Sequence, residues 1–183
     1  MKIFQAMKRL LVITIILLSI ASCTFVNVSR TLNDVESYIM ERPDSALAVL
    51  ESIDRDDLNT TRTKAHHALL HAMALDKNFI DVSDDSIAQV AVDYFSKHGP
   101  QKYHARSLYY LGLAYYYQEE YNKAIVEFTK AEEVARVCDS LYLGFIKVDQ
   151  AEVYARTYNP IEEVILVNLK PNCLSEYLIS IDI

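Results

Sequence analysis

Glycine and proline interrupt this chain so rarely that long helices are its most favoured structure. Its 183 residues include three glycines and four prolines. Between these breaks the apolar residues recur every three or four positions, as at Ala46, Val49, Leu50 and Ile53, which is the period of an amphipathic helix. No segment sustains the alternation of apolar and polar residues that a half-buried strand shows. The sequence therefore predicts an all-α fold.

A pattern of small and large apolar residues marks the segment Ala105–Cys138. It comprises Leu108, Leu111, Gly112 and Tyr115, followed by Ala124, Phe128 and Ala131. At these spacings the first four share one face of a helix, and the last three share one face of the next. Small residues let two antiparallel helices approach closely, and large apolar residues fill the seam between them. We therefore interpret all seven as packing residues.

This pattern resembles the tetratricopeptide repeat, a helix-turn-helix unit of about 34 residues. The resemblance covers about Leu32 to Asn159 and is weaker outside the best unit. Residues 42–53 repeat the second-helix pattern after a first helix of roughly Leu32–Glu41, and Thr63–Phe95 is predicted to form another helix pair. The resemblance implies a short solenoid of about three to four irregular helical hairpins.

Three polar positions are predicted to begin helices. Asp44 and Asn122 each stand two residues before the small residue of a second helix, and their side chains are expected to cap it. Segment 81–86, DVSDDS, alternates oxygen-bearing side chains like a calcium loop, but it lacks the central glycine and the distal glutamate of one. We therefore expect this segment to cap the following helix rather than to bind calcium.

The N-terminus has the composition of an export signal. Three basic residues precede an apolar run, Leu10–Ile20, which is shorter than the roughly 20 residues of a membrane-spanning helix. This order is typical of a secretory signal peptide. Either Met1 or Met7 could be the start, because Lys8 and Arg9 follow both.

The quartet Ile20-Ala21-Ser22-Cys23 resembles the lipobox of bacterial lipoproteins. The resemblance implies cleavage before Cys23 and a lipid thioether on its sulfur. Segment 65–87, followed by the repeat unit, looks like the tetratricopeptide lipoproteins of Gram-negative, gut-type bacteria. Because no aspartate directly follows Cys23, the resemblance favours the outer over the inner membrane of the cell envelope. Two alternatives stay open: an ordinary signal peptide with an unmodified cysteine, and an uncleaved anchor.

These features divide the sequence into a signal peptide at 1–22, a tether at 23–30, a helical repeat domain at 31–159 and an atypical C-terminal segment at 160–183. The last segment lacks the expected small residue and is apolar on every side. It also lacks the polar-faced helix that closes a solenoid. We expect a truncated or frameshifted tail, with an interface strand or a partner-binding helix as the alternatives.

The charge balance disfavours nucleic acid and anionic lipid as direct partners. Without residues 1–23 the chain has 15 Lys and Arg against 25 Asp and Glu, a net charge near −10. Clustered cations on a protein favour binding to nucleic acid, because they release counterions from its phosphates. An acidic domain is not attracted to anionic lipid, so it would need acyl chains to stay at a membrane surface. Cys138 and Cys173 are too few for a disulfide framework, although a bond between the two stays open.

Patterns that would carry catalysis or bind metal are incomplete. His67 and His71 lie four residues apart on one helical face, without the glutamate of a zinc-protease motif or an evident third ligand. The sequence contains no G-x-S-x-G elbow and no glycine-rich phosphate loop. Asp139 is expected to raise the pKa of its neighbour Cys138 and so to disfavour a reactive thiolate. The sequence predicts no enzyme, no metal site and no cofactor.

A second face of the helix in the best repeat is predicted to contact a ligand. In the family frame Arg106, Tyr109, Leu113, Tyr116 and Tyr117 lie at concave-groove positions. Tyrosine suits such a surface because it offers apolar area, a hydrogen-bonding tip and little rotamer entropy to lose. The lysine and asparagine pattern that clamps a carboxylate in some family members is missing, so we expect hydrophobic or aromatic contacts. The alternative is that a preceding helix covers these rings and the tyrosines only pack.

Taken together, the sequence predicts a membrane-anchored, non-catalytic scaffold that binds a protein or peptide of unknown identity. Two alternatives remain. The first is the sensor arm of a signalling system whose output lies on another chain. The second is a glycan-binding lipoprotein of a polysaccharide-uptake system.

Overall fold

The computed structural model describes residues 28–81 and 84–157, and this part of the chain is entirely helical, without a strand. Its seven α-helices are α1 (Val28–Tyr38), α2 (Pro43–Ser52), α3 (Thr61–Lys77), α4 (Asp85–Phe95), α5 (Gln101–Tyr117), α6 (Tyr121–Cys138) and α7 (Ser140–Arg156), with a 3-10 turn at Arg55–Asp57. The predicted all-α fold is confirmed. The signal peptide, Cys23 and the segment 160–183 lie outside the described residues.

Helices that follow one another in the chain pack against one another along the whole series. In addition α1 contacts α3, α3 contacts α5, and α5 contacts α7. The odd-numbered helices therefore form one layer, and the even-numbered helices pack between and over them. None of these helices is both long and apolar enough to cross a membrane.

A regular spacing underlies the second half of this arrangement. Helices α3, α5 and α7 are each 17 residues long, and their first residues are 40 and 39 positions apart. The turns after α3 and α5 also match, because Phe79 and Glu119 adopt left-handed conformations with φ of 58° and 61°. The C-terminal ends of α3 and α5 thus share one turn conformation with different side chains, although the next helix begins at Asp85 after α3 and already at Tyr121 after α5.

Three helix boundaries differ from those predicted, and one cap agrees. Helix α1 begins at Val28 and ends at Tyr38 rather than spanning Leu32–Glu41. The predictions that Asp44 and Asn122 cap helices are wrong, because both lie inside the first turn. Proline is well tolerated at the start of a helix, and α2 begins at Pro43.

The cap predicted within segment 81–86 is confirmed at Asp84. Its carboxylate accepts a hydrogen bond from the Ser86 backbone N–H at 3.0 Å, at the start of α4. The interaction satisfies one of the N–H groups that the first turn of a helix leaves without a partner.

A continuous apolar core runs through all seven helices, from Val28 in α1 to Val153 in α7. Fully buried alanines occur on five of these helices, and they are Ala46, Ala65, Ala72, Ala74, Ala91, Ala105, Ala114, Ala124 and Ala131. Small side chains at helix contacts bring the backbones close together. The helix pairs are therefore held by close packing along the array.

Candidate functional site

Helix α5 carries all five residues predicted to contact a ligand, and it lies among several other helices. It contacts α3, α4, α6 and α7. The helix starts after Pro100, whose backbone is extended, and ends at Tyr117, with Gln118 as its C-terminal cap before the left-handed Glu119. The side chains of α5 therefore divide among four neighbours, and only part of its surface faces solvent.

The residues predicted to pack are brought together between α5 and α6. Those that are buried are Leu108, Leu111, Gly112, Ala124, Phe128 and Ala131, and Tyr115 is half-buried against the core. A Cβ atom at Gly112 would lie 2.6 Å from Cδ1 of Phe128, closer than real side chains approach. The two helices can approach this closely only because residue 112 has no side chain.

Two of the residues predicted to contact a ligand are buried. Tyr109 and Leu113 are 4% and 6% exposed. The Tyr109 ring lies against Tyr142 and Phe145 of α7, at centroid distances of 5.5 and 6.4 Å. Tyr109 is thus covered by rings of α7, a helix that comes later in the chain than α5. As placed, Tyr109 and Leu113 offer almost no surface to a ligand.

The other three predicted contact residues, Arg106, Tyr116 and Tyr117, are partly exposed. Arg106 is already engaged: its Nε donates to Asp139 Oδ2 at 2.7 Å, and its guanidinium carbon lies 4.6 Å from the centroid of the Tyr142 ring. The Tyr116 hydroxyl donates to Glu152 Oε1 at 3.2 Å. The ligand-binding role of the five residues stays a prediction. The partly exposed tyrosines among them, Tyr116 and Tyr117, lie at the C-terminal end of α5.

A network centred on Glu36 joins the last turn of α1 to the N-terminal parts of α3 and α5. Glu36 Oε2 accepts a hydrogen bond from the Tyr103 hydroxyl at 2.6 Å and lies 3.1 Å from His66 Nε2. Its Oε1 lies 3.6 Å from Lys102 Nζ and 3.9 Å from a terminal nitrogen of Arg106. One carboxylate of α1 therefore joins donors from α3 and α5.

The pKa of Glu36 reflects this set of donors. Burial alone would raise it, but the hydrogen bonds with His66 and Tyr103 and the charge of Lys102 favour the ionised form. The net effect lowers the pKa of Glu36 to about 2. The carboxylate is therefore ionised at any physiological pH.

The C-terminal end of α5 has a different character, with tyrosines among carboxylates. Burial, together with the charges of Asp76, Asp81 and Asp149, raises the pKa of Tyr117 to about 12. Asp149 itself accepts a hydrogen bond from the Tyr109 hydroxyl at 2.8 Å. Burial nevertheless raises the pKa of Asp149 to about 6, because the hydrogen bond only partly offsets it.

The sequence prediction missed Glu36 and Asp149, which accept hydrogen bonds from tyrosines of α5. A usable signal was present for both, because each acid stands on the apolar stripe of its helix. Glu36 follows Leu32 by four residues and Asp149 follows Ile146 by three, so each shares a helical face with a buried residue. A carboxylate on an apolar stripe is expected to be at least partly buried. A buried carboxylate is costly unless it has hydrogen-bond or ion-pair partners, so its position predicts such partners.

The residues considered for metal binding and catalysis have structural contacts. The rings of His67 and His71 stack at 5.7 Å, and His67 Nε2 lies 3.0 Å from the Leu50 carbonyl oxygen. Within residues 28–81 and 84–157, no three His, Cys, Asp or Glu side chains lie together as metal ligands. Burial and the charge of Asp139 raise the pKa of the Cys138 thiol, as expected from the sequence.

No model of a known protein family, no curated protein and no solved structure matches this chain. Its function is therefore inferred from its own residues and their geometry.

Proposed function

We propose that the protein is a lipid-anchored lipoprotein of the tetratricopeptide-repeat type that acts as a non-catalytic scaffold for a protein or peptide. The observation that carries this proposal is the contact between Gly112 and Phe128, the small-to-large contact that the repeat pattern requires. It occurs in a row of helix pairs whose first helices also contact one another. Stacked helical hairpins of this kind commonly bind partners along an extended surface.

The partner's surface in this proposal is the odd-numbered layer near the C-terminal end of α5. Tyr116 and Tyr117 are partly exposed there, whereas Leu113 and Tyr109, about one and two turns earlier on the same helix, are buried. A rigid aromatic side chain on a helix contributes contact area at low entropic cost. Two tyrosines on a helix held by four neighbours therefore provide a preorganised contact surface.

Site-specific crosslinking in the native membrane tests the scaffold function. A photo-crosslinking phenylalanine analogue is introduced in place of Tyr116 in the full chain, and in a control in place of Thr129. Thr129 is exposed on α6, an even-numbered helix. We expect a discrete crosslinked product from position 116 and none from position 129. Equal products from both positions, or none from either, would contradict the proposed function.

The lipid anchor is tested separately through Cys23, which lies outside the described residues. In the proposed protein the acyl chains on its sulfur hold an acidic domain at the membrane. Cys23→Ala should therefore release the protein into the soluble fraction, and the Cys138→Ala variant should stay with the membrane. Retention of the Cys23→Ala protein through alkaline and high-salt washes would rule out this anchor.

A further inference from the structure

Within the described residues, helix α7 lacks a neighbour that the other odd-numbered helices have. Each of α1, α3 and α5 packs against the helix that follows it in the chain. Helix α7 ends at Arg156, and the described part of the chain ends one residue later. Its described neighbours, α5 and α6, both precede it. If the pattern continues, a following helix for α7 must come from residues beyond 157.

The regular spacing of α3, α5 and α7 allows their faces to be compared position by position. Their first residues are 40 and 39 positions apart. At these offsets two positions hold a small residue in all three helices, and they are Ala65, Ala105 and Gly144, and Ala72, Gly112 and Ala151. An apolar residue stands between them in each helix, and it is Leu69, Tyr109 or Val148. Spacings of four and three residues place each set on one helical face.

In α5 this face seats the helix that follows. A Cβ atom at Gly112 would lie 2.6 Å from the ring of Phe128 in α6, and the Tyr109 ring centroid is 5.9 Å from that of Phe128. Ala105, Tyr109 and Gly112 are all buried. The equivalent residues of α3 are buried as well, and they are Ala65, Leu69 and Ala72. Small residues on this face let the next helix approach closely.

In α7 the same face is largely exposed and has no charged side chain. Val148 is 39% exposed, and Leu141, seven residues earlier on this face, is 48% exposed. Gly144 is half-buried, Ala155 is exposed, and only the small Ala151 is buried. By contrast, the exposed residues of α6 include four charged ones, which are Lys123, Lys130, Glu133 and Arg136. An apolar helix face is normally directed at a neighbouring element, so we expect this one to be covered.

We propose that residues 160–170 of this chain form a helix that packs on this face of α7, as α6 packs on α5. Three residues separate α5 from α6, and three separate α7 from residue 160. So short a connection holds the segment beside α7 at an effective concentration on the order of millimolar, which favours it over a second copy of the chain. The inference goes beyond the proposed scaffold function, because it concerns the end of the array and not its partner.

The segment carries start and stop signals for a helix of the required length. Pro160 suits the first helical position, and a proline also begins α2. Glu162 and Glu163 lie in the first turn and Lys170 in the last, where their charges favour the helix dipole. Pro171 then ends the helix. The resulting length is close to that of the even-numbered helices α2 and α4, which have 10 and 11 residues.

One side of this helix is apolar and complements the small residues of α7. Ile161, Val164, Ile165 and Leu169 recur at spacings of three and four residues, so they share a face. Large side chains of one helix then meet small residues of the other, as Phe128 meets Gly112. A segment that completes a hairpin with α7 belongs to the fold, in contrast to the truncated or frameshifted tail expected from its composition.

Hydrogen–deuterium exchange of the full chain in non-ionic detergent, read by mass spectrometry, tests this inference. The reference is a synthetic peptide of residues 158–183, because a helix of this length is marginal in water without a packing partner. We expect the amides of residues 164–170 to exchange at least about tenfold more slowly in the full chain than in the peptide.

Two variants on opposite sides of the contact locate the docking, and a third is a matched control. Val148→Asp and Ile165→Asp each place a charge in the contact, and each should speed the exchange of residues 164–170 about tenfold or more, towards that of the peptide. Val90→Asp makes the same change at an exposed valine of α4, which is 46% exposed, and should leave this exchange unchanged. The amides of α5 and α6 report in the same experiment that each variant is folded.

Three outcomes would overturn the inference. The first is exchange of residues 164–170 in the full chain at the rate of the peptide. The second is slow exchange that survives Val148→Asp and Ile165→Asp, or that is lost equally in Val90→Asp. The third is protection that disappears when the protein is diluted, because the face would then be covered by a second copy of the chain. If Val148→Asp also exposes α5 and α6, Ile165→Asp decides, since residue 165 lies outside the described helices.

Discussion

The hydroxyl oxygens of Tyr110 and Tyr142 lie 2.9 Å apart in the buried seam between α5 and α7. Each ring is at most 2% exposed, and the two meet edge to face at a centroid distance of 6.1 Å. Burial raises the pKa of both phenols well above the ordinary value, so both stay protonated. The pair is the most buried of the polar contacts between these helices, because the hydroxyls of Tyr109 and Tyr116 bond to the partly exposed carboxylates of Asp149 and Glu152.

Removal of one hydroxyl of this pair should cost more than removal of both. Tyr110→Phe leaves the Tyr142 hydroxyl without this partner, and we expect a loss of about 1–3 kcal/mol in the free energy of unfolding. In the Tyr110→Phe/Tyr142→Phe double variant the unpaired group is gone, so part of the loss should be recovered. Urea denaturation of the single and double variants measures the coupling. Additive losses would mean that the two hydroxyls do not depend on each other.

Substitution of Gly112 should destabilise the α5–α6 pair, although glycine is a poor helix former. With free space, Gly112→Ala would stabilise the helix by about 0.5–1 kcal/mol. The 2.6 Å approach to Phe128 reverses that sign, and Gly112→Leu should cost roughly 1–3 kcal/mol. Gly112→Ala combined with Phe128→Leu should be less unstable than the sum of the two single variants. A thermal midpoint that rises in Gly112→Ala alone would contradict the close packing.

The left-handed turn at Glu119 predicts a stabilising substitution. Glycine adopts positive φ without the steric cost that an L side chain carries, about 1 kcal/mol at such a position. Glu119→Gly should therefore raise the thermal midpoint, and Phe79→Gly should do so at the equivalent turn. Glu120→Gly is the control, because this residue has an ordinary negative φ of −83° and should gain nothing. A fall in the midpoint of Glu119→Gly would show that its side chain stabilises the turn.

Stability should depend on pH through Asp149. Its pKa is raised from 3.8 to about 6 in the folded protein, so folding favours the protonated acid. The stability gained from this group is fully present below pH 3.8 and is lost as the pH rises through about 6. Asp149→Asn should therefore be more stable than the parent by about 1–3 kcal/mol at pH 7, and the difference should shrink towards pH 5. Asn can still accept the Tyr109 hydrogen bond.

The measurement is the difference between Asp149→Asn and the parent in urea denaturation across pH 5–7. This difference cancels the histidines, since both proteins contain them. Burial lowers the pKa of His71 and His104, which opposes the trend of Asp149 in each protein alone. Glu36 changes stability mainly below this range, because its pKa is about 2 in the folded protein and its ordinary value is 4.5. A difference that stays constant across this pH range would contradict the raised pKa of Asp149.

Local periodicity predicted the helices and the α5–α6 seam because both depend on residues close in sequence. Gly112 and Phe128 belong to one hairpin, so their contact follows from two adjacent helices. The bond between Glu36 and Tyr103 joins residues 67 positions apart, and no local pattern specifies such a pair. The burial of Tyr109 was missed for the same reason, since periodicity identifies a face but not the helix that covers it.

The Glu36 network also bears on how the array unfolds. In a row of stacked hairpins each unit contacts only its neighbours, so an end unit can open while the rest stays folded. Glu36 of α1 has partners on both α3 and α5. The first hairpin, α1–α2, is thus bonded to the second, α3–α4, and also to the third, α5–α6. Opening of α1 alone would leave Tyr103 and His66 without their common acceptor. The first hairpin is thereby coupled to the middle of the array, which favours cooperative opening over fraying at this end.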